Sequence, residues 1–158
     1  MRRALLLLVF LLLLPAWAQT DWHIIPRETL GPFRIGMPFE EVRSRAAALF
    51  PQVHDFTGTR IIMRNKDTGV EVVAEFDRGG LLDEVATAWD VPRTAGGLGV
   101  GSTRAQVTKA LGQPDRLAGE REVAYYDELG LAFRYSPSLA VEMVYLVQPG
   151  STIHWDRK

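Results

Sequence analysis

"VGSTRAQVTKALGQPD", Val100 to Asp115, reads as a glycine-led turn, a capped amphipathic helix and a Gly-x-Pro stop. Thr103 and Gln106 have the spacing of a capping box. Val107, Ala110 and Leu111 form an i, i+3, i+4 apolar stripe, and Gly112-Gln113-Pro114 ends the helix. An earlier stretch, "IGMPFEEVRSRAAALFPQV" from Ile35 to Val53, repeats this plan in degraded form. There Pro38 takes the cap position, supplying a fixed φ without a side-chain acceptor, and Glu40 and Glu41 favour the first turn through the helix dipole. Phe39, Val42, Ala46, Leu49 and Phe50 form its apolar stripe.

The correspondence continues beyond the helices. Gly31 aligns with Gly96, Phe33 with Leu98, Gly36 with Gly101 and Val42 with Val107. Further on, Gly58 meets Gly119, Gly69 meets Gly130 and Val72 meets Phe133; later still, Leu81 meets Leu139, Glu84 meets Glu142 and Val85 meets Met143. Each change of spacing falls in an expected loop, where length varies freely. The division that follows is an export signal at 1–18, an N-terminal segment at 19–30, a first repeat at 31–91, a linker at 92–95, a second repeat at 96–149 and a tail at 150–158. "PQVHDFTGTR" reads as loop, so each repeat is expected to hold one helix and then three antiparallel strands joined by short turns. Gly69 and Gly130 both end polar loops at a position suited to a left-handed residue, and their alignment predicts comparable losses when either is replaced.

Alternation directs Val70, Val72, Ala74 and Phe76, with Leu131, Phe133 and Tyr135, toward the helices. The opposite face is read as Glu71, Val73, Glu75, Ala132 and Arg134, continued by Glu84, Ala86, Ala88, Glu142, Val144 and Leu146. Apolar residues inside a charged rim suit a modest protein interface. Val73, Glu71, Glu75, Glu84, Ala86, Arg134, Glu142, Val144 and Leu146 are therefore the candidate protein-binding face. The expected fold class is α+β, with two αβββ-type repeats forming one antiparallel sheet and helices packed on one face.

The amino terminus carries an export signal. Arg2 and Arg3 form a positive start, Ala4 to Leu14 is uninterrupted apolar sequence, and Ala16-Trp17-Ala18 is a small-x-small cleavage site. Pro15 breaks the run before it reaches the roughly 20 apolar residues of a membrane span, so the mature form is expected not to cross a membrane. The chain has no cysteine, which leaves no lipid attachment point, disulfide or thiolate ligand. Removing Arg2 and Arg3 takes the formal charge from −1 to −3 over about 140 remaining residues. The signs are interspersed, which argues against a nucleic-acid groove.

The start "Gly-hydrophobic-x-hydrophobic-Gly-(Met/Ser)-x-x-x-x-Val", the helix ending in Gly-x-Pro and the following strands resemble the SmpA/OmlA (BamE) outer-membrane assembly factors and the tandem β-lactamase-inhibitor-protein fold. "IGM…EEV" and "VGS…QV…LGQPD" carry the resemblance, which covers most of the mature chain as two copies. It implies helix-plus-strand units sharing one sheet and a partner among exported or outer-envelope proteins.

Catalytic patterns are weak. His23, His54 and His154 lack any spacing that presents two nitrogens to a metal. Ser102 lies in Gly101-Ser102-Thr103, outside a nucleophile elbow, and reads as a helix-start hydrogen-bonding residue. "GGLGVG", Gly96 to Gly101, lacks the parallel βαβ context of a dinucleotide loop. Asp83 and Glu84 are neighbours on a strand and so point to opposite faces. No catalytic, cofactor or metal residue is assigned. Trp22 and Trp155 fit either a binding surface or docked terminal segments.

Two classes of function fit. One is an exported, periplasmic or extracellular, non-catalytic protein-binding or envelope-assembly module, with inhibition of an extracellular enzyme as a special case. The other is a small-molecule binder or weak enzyme with a site between the repeats near Trp89, Tyr126 and Tyr145. The export signal makes one expectation directly measurable: intact-mass analysis of the exported protein should find Gln19 as its first residue, and retention of Met1 would refute the cleavage assignment.

Overall fold

The computed structural model describes residues 22–56, 58–118, 122–151 and 153. The expected export signal, Gln19, Gly119, His154 and Trp155 lie outside the described residues. In chain order the elements are β1 (His23–Ile25), β2 (Thr29–Leu30), β3 (Phe33–Arg34), α1 (Phe39–Leu49), β4 (Gln52–Phe56), β5 (Arg60–Asn65), β6 (Val70–Phe76) and β7 (Leu82–Thr87). They continue with β8 (Arg93–Thr94), α2 (Arg104–Leu111), β9 (Arg116–Ala118), β10 (Val123–Tyr126), a single 3-10 turn (Asp127–Leu129), β11 (Leu131–Tyr135) and β12 (Val141–Val147).

Local sequence explains the helices. Thr103 forms the expected capping box: Gln106 N–H donates to Thr103 Oγ1 at 3.2 Å, and Thr103 N–H donates to Gln106 Oε1 at 2.7 Å. Pro38 caps α1 without a side-chain bond, and the acidic first turn of Glu40 and Glu41 complements the dipole there. Pro51 limits Phe50 to an extended conformation, φ −120° and ψ 134°, and the helix ends.

The sheets depart from the expected fold class. Among the described residues strand accounts for 44% and helix for 17%, so the fold is mostly β and not an α+β fold of αβββ units. An eight-stranded antiparallel sheet runs β4-β5-β6-β7-β12-β11-β10-β9, and a second, four-stranded sheet runs β3-β2-β1-β8 with β1 and β8 parallel. Two readings failed. "PQVHDFTGTR" supplies the edge strand β4, whose residues are half-buried or exposed and so carry no alternating signal. The segment ahead of α1 supplies β1–β3, whose Ile24, Leu30 and Phe33 are buried beside Trp22. The helices cannot cover the large sheet alone, because α1 buries only Val42 and Ala46 and α2 only Val107. The small sheet shares that layer.

The two halves make equivalent bonds around the helix starts. Gly36 N–H donates to Leu82 C=O at 2.7 Å and Leu82 N–H to Met37 C=O at 2.8 Å; Gly101 N–H donates to Val141 C=O at 2.7 Å and Val141 N–H to Ser102 C=O at 2.8 Å. Isolated bridges join Pro38 to Leu81 and Thr103 to Ala140. Leu81 is thus matched by Ala140, one residue on from the Leu139 of the sequence alignment. Each half also carries a bulge, where the ladder shifts between Glu75 and Phe76 and between Arg134 and Tyr135.

Two backbone consequences follow from this match. Phe39 N–H bonds Gly80 C=O as Arg104 N–H bonds Leu139 C=O, so Leu139, at φ +61°, holds the left-handed position that Gly80 fills at φ +75°. Leu139 is 46% exposed and loses little burial on truncation. Leu139→Gly should therefore raise stability by about 0.5–1 kcal/mol, the left-handed cost of a β-carbon less the chain entropy of glycine, and urea titration checks it. At the hairpin glycines the sequence expectation of equal losses is corrected. A β-carbon on Gly69 meets nothing within 4 Å, whereas one on Gly130 comes 2.5 Å from Val147 O. Gly69→Ala should cost about 0.5–1 kcal/mol by the same difference and Gly130→Ala clearly more in the same titration; equal losses would refute the clash.

Candidate functional site

The outer face of the large sheet is more closed than its sequence implies. Strand register lines up one row across it: Ile62, Val73, Ala86, Tyr145, Ala132 and Tyr125. Of these, Ala86, Tyr125, Ala132 and Tyr145 are buried with Val123, Val147 and Ile153 in a second core. Arg116 closes its end, with its guanidinium carbon 3.7 Å from the Tyr125 ring centre and Nη2 donating to Ser151 C=O at 2.7 Å. Arg60 pairs with Glu75, Arg64 with Glu71, and Arg134 with Glu142 at 2.6 Å, while Arg134 Nη1 donates to Tyr145 Oη at 3.1 Å.

The candidate protein-binding residues divide accordingly. Glu71, Val73, Glu75, Glu84, Ala86 and Arg134 belong to outer-face rows, though Val73, Glu75, Glu84 and Ala86 are buried. Glu142 reaches Arg134 on that side because it is the residue the second bulge leaves unpaired. Val144 and Leu146 are corrected: both are 0% exposed and sit in the inner core with Val72 and Phe133. The bulge reverses the alternation between Glu142 and Val144, so parity counted from Glu142 gives the wrong face.

The residues suggested for a site between the repeats do not converge. Tyr126 lies in the inner core against Phe133, its hydroxyl donating to Gly112 C=O at 3.2 Å, while Tyr145 is on the other face. Burial raises the pKa of Tyr126 and pushes that of Tyr135 up to about 12, with the neighbouring Tyr126 adding to the second shift and Arg104 opposing both. Both phenols stay neutral at physiological pH. Ser102 Oγ accepts the Gly99 N–H at 3.1 Å, a turn bond at the start of α2. Within "GGLGVG", Thr94 Oγ1 accepts the Leu98 N–H at 3.1 Å. His23 and His54 are both exposed. Among the described residues, no group of metal-ligating side chains could hold an ion, and no helix is long and apolar enough to cross a membrane.

Of the three suggested aromatics, Trp89 lines an apolar cavity. The hollow has a volume of about 250 Å³ and is bounded by Trp22, Leu49, Phe50, Asn65, Thr68, Val70, Trp89 and Val91. Trp22 lies at its aromatic centre, with ring centres 4.9 Å from Trp89 at 72° and 6.0 Å from Phe50 at 82°. Gly31 makes this seat, since a β-carbon there would lie 2.4 Å from Trp22 Cε3. The β5–β6 loop forms one rim, held by Asn65 Oδ1, which accepts the N–H groups of Asp67 at 3.1 Å and Thr68 at 3.3 Å. Sequence reasoning marked Trp22 and Trp89 separately but missed Leu49, Phe50 and Val70 as cavity walls. Their apolar stripe and alternation are indistinguishable from those of core residues.

No protein-family model matches the sequence, and no curated protein matches it. Among solved structures, the chain is similar to a DUF4309 family protein (YjgB) from Bacillus subtilis subsp. subtilis str. 168, with a TM-score of 0.47 and 14% identity, covering 66% of this chain and 76% of that chain.

Proposed function

We propose that the chain is an exported, non-catalytic binding module, and that its binding element is the aromatic cavity and not the outer sheet face. The observation that carries this reading is the convergence of Trp22, Phe50 and Trp89, from three separate segments, on one apolar hollow of about 250 Å³. Protein interiors ordinarily close around their side chains, and a hollow with an apolar wall leaves that wall without the dispersion contacts that packed protein supplies. An apolar occupant restores those contacts and keeps water from the aromatic surface.

The wall chemistry favours binding over turnover. Its side chains are indole, phenyl and aliphatic groups with one amide and one hydroxyl, and none is a carboxylate, imidazole or amine able to act as a general base. The outer face is a poorer site, because its apolar row is largely buried and its charges are paired with one another. The export signal and the resemblance to SmpA/OmlA units support a place outside the cytoplasm.

A cavity of about 150 Å³ already admits benzene, so benzene is a suitable first probe. Adding it to ¹⁵N-labelled mature protein should displace the indole N–H resonances of Trp22 and Trp89. Thr68→Trp, at an exposed rim position, should abolish that displacement while moving Tm by no more than about 3 °C. No displacement in the wild type, or displacements scattered away from these indoles, would refute the assignment.

A further inference from the structure

The outer face of the large sheet is buried more deeply than its own strands explain. A sheet packed on one side ordinarily presents polar, hydrated side chains on the other. Here, on the side away from the helices, Glu84 is 0% exposed, and Val73, Glu75 and Ala86 are buried with it. In the second half the cover is the chain after β12. Arg116 Nη2 donates to Ser151 C=O at 2.7 Å while its guanidinium lies over the Tyr125 ring. Ser151 is thereby held at the β9 end of the row that runs through Tyr125, Ala132, Tyr145, Ala86, Val73 and Ile62. Ile153 is buried in the outer core with Ala132, Tyr145 and Ala86, and among the described residues it is the one member of that core from outside the strands. From Ser151 to Ile153 the chain thus enters the face from its β9 end. Val73, farther along the row, joins neither core of the described residues.

We propose that the next residues, His154 to Lys158, continue across this face in cis and seat Trp155 on Val73 and Ile62. Reach permits it: two residues of extended chain span about 7 Å, neighbouring strands lie about 4.8 Å apart, and the indole adds its own length. Ile62 and Val73 are direct partners in the β5–β6 ladder, and a flat indole covers such an apolar pair. Charge agrees. The first half of the face carries Glu71, Glu75, Glu84 and Asp83, the bulge counterpart of Glu142, against Arg60 and Arg64. In the segment Arg157 and Lys158 outnumber Asp156, and opposite charges attract more strongly where water is excluded. The tether favours this occupant over a second copy: Ile153 is already anchored on the face, so the segment stands beside its seat at an effective concentration on the order of millimolar. The consequence is an outer face withheld from other proteins. This assignment is independent of the aromatic cavity, whose Trp22, Phe50 and Val70 belong to the inner core.

NMR of the methyl-labelled mature protein tests the assignment. The Val73 methyls should show NOEs to the Trp155 ring and resonate upfield under its ring current. Trp155→Ala, and a chain stopped after Ile153, should each abolish that upfield shift while leaving the indole N–H resonances of Trp22 and Trp89 in place. Absence of the NOEs in the wild type would overturn the proposal, as would an upfield shift that persists in Trp155→Ala. NOEs found only between differently labelled chains in a mixed sample would overturn it too, by giving the seat to the tail of a second copy. If neither variant folds in thermal unfolding, the wild-type NOEs decide: without them within one chain the proposal fails.

Discussion

The antiparallel pairing of β7 with β12 is the constraint on which the rest of the molecule depends. It sets Thr87 opposite Val144, Ala86 opposite Tyr145, Val85 opposite Leu146 and Glu84 opposite Val147. Without this seam each half is a four-stranded sheet with a long unpaired edge, an open template for wrong association. With it, Val85, Val144 and Leu146, each 0% exposed, become the middle of one continuous core. The same two strands accept and donate the backbone bonds at the helix starts, through Leu82 in one half and Val141 in the other. Helix position is thereby tied to strand register.

The outer face shows how charge and burial divide the labour of keeping a sheet soluble. The Arg64–Glu71 pair, with side chains 45% and 39% exposed, contributes little stability because water screens it. Its effect is to keep the face polar near the β4 edge. Glu75 is different, since its side chain is only 2% exposed beside Arg60. Removing that arginine would weaken the compensation of a buried carboxylate, a far larger loss than the pair's net attraction. On the other half the task passes to aromatic burial, with Tyr125 under Arg116 and Tyr145 bonded by Arg134.

What could be read from the sequence was whatever its own neighbours determine. The Thr103 capping box, the Pro38 start and the inward alternation of Val70, Val72, Ala74 and Phe76 depend on residues a few positions apart, and each is present. The edge strand Gln52–Phe56 was not legible because an edge with polar, exposed side chains has no pattern to display. Strands of two residues such as β2, β3 and β8 exist only through pairing with distant chain. The bulge at Glu142 reversed a correctly sensed alternation. The cavity was hidden for a related reason: Trp22, Phe50 and Trp89 are far apart in the chain, and each is a normal core residue until topology brings it beside the others.

The parallel pairing of β1 with β8 has a consequence for how the chain can be divided. His23 lies opposite Arg93 and Ile24 opposite Thr94, so the strand that opens the described chain is bonded to the connection leading into the second helix. A cut at residues 92–95, where the sequence reads as a linker, would sever β8 and strip β1 of a partner. The halves of the large sheet are near copies, but the small sheet bonds the start of the first to the approach to the second. Trp22 sits immediately before β1, so the shape of the aromatic hollow in the first half depends on chain that belongs to the approach to the second.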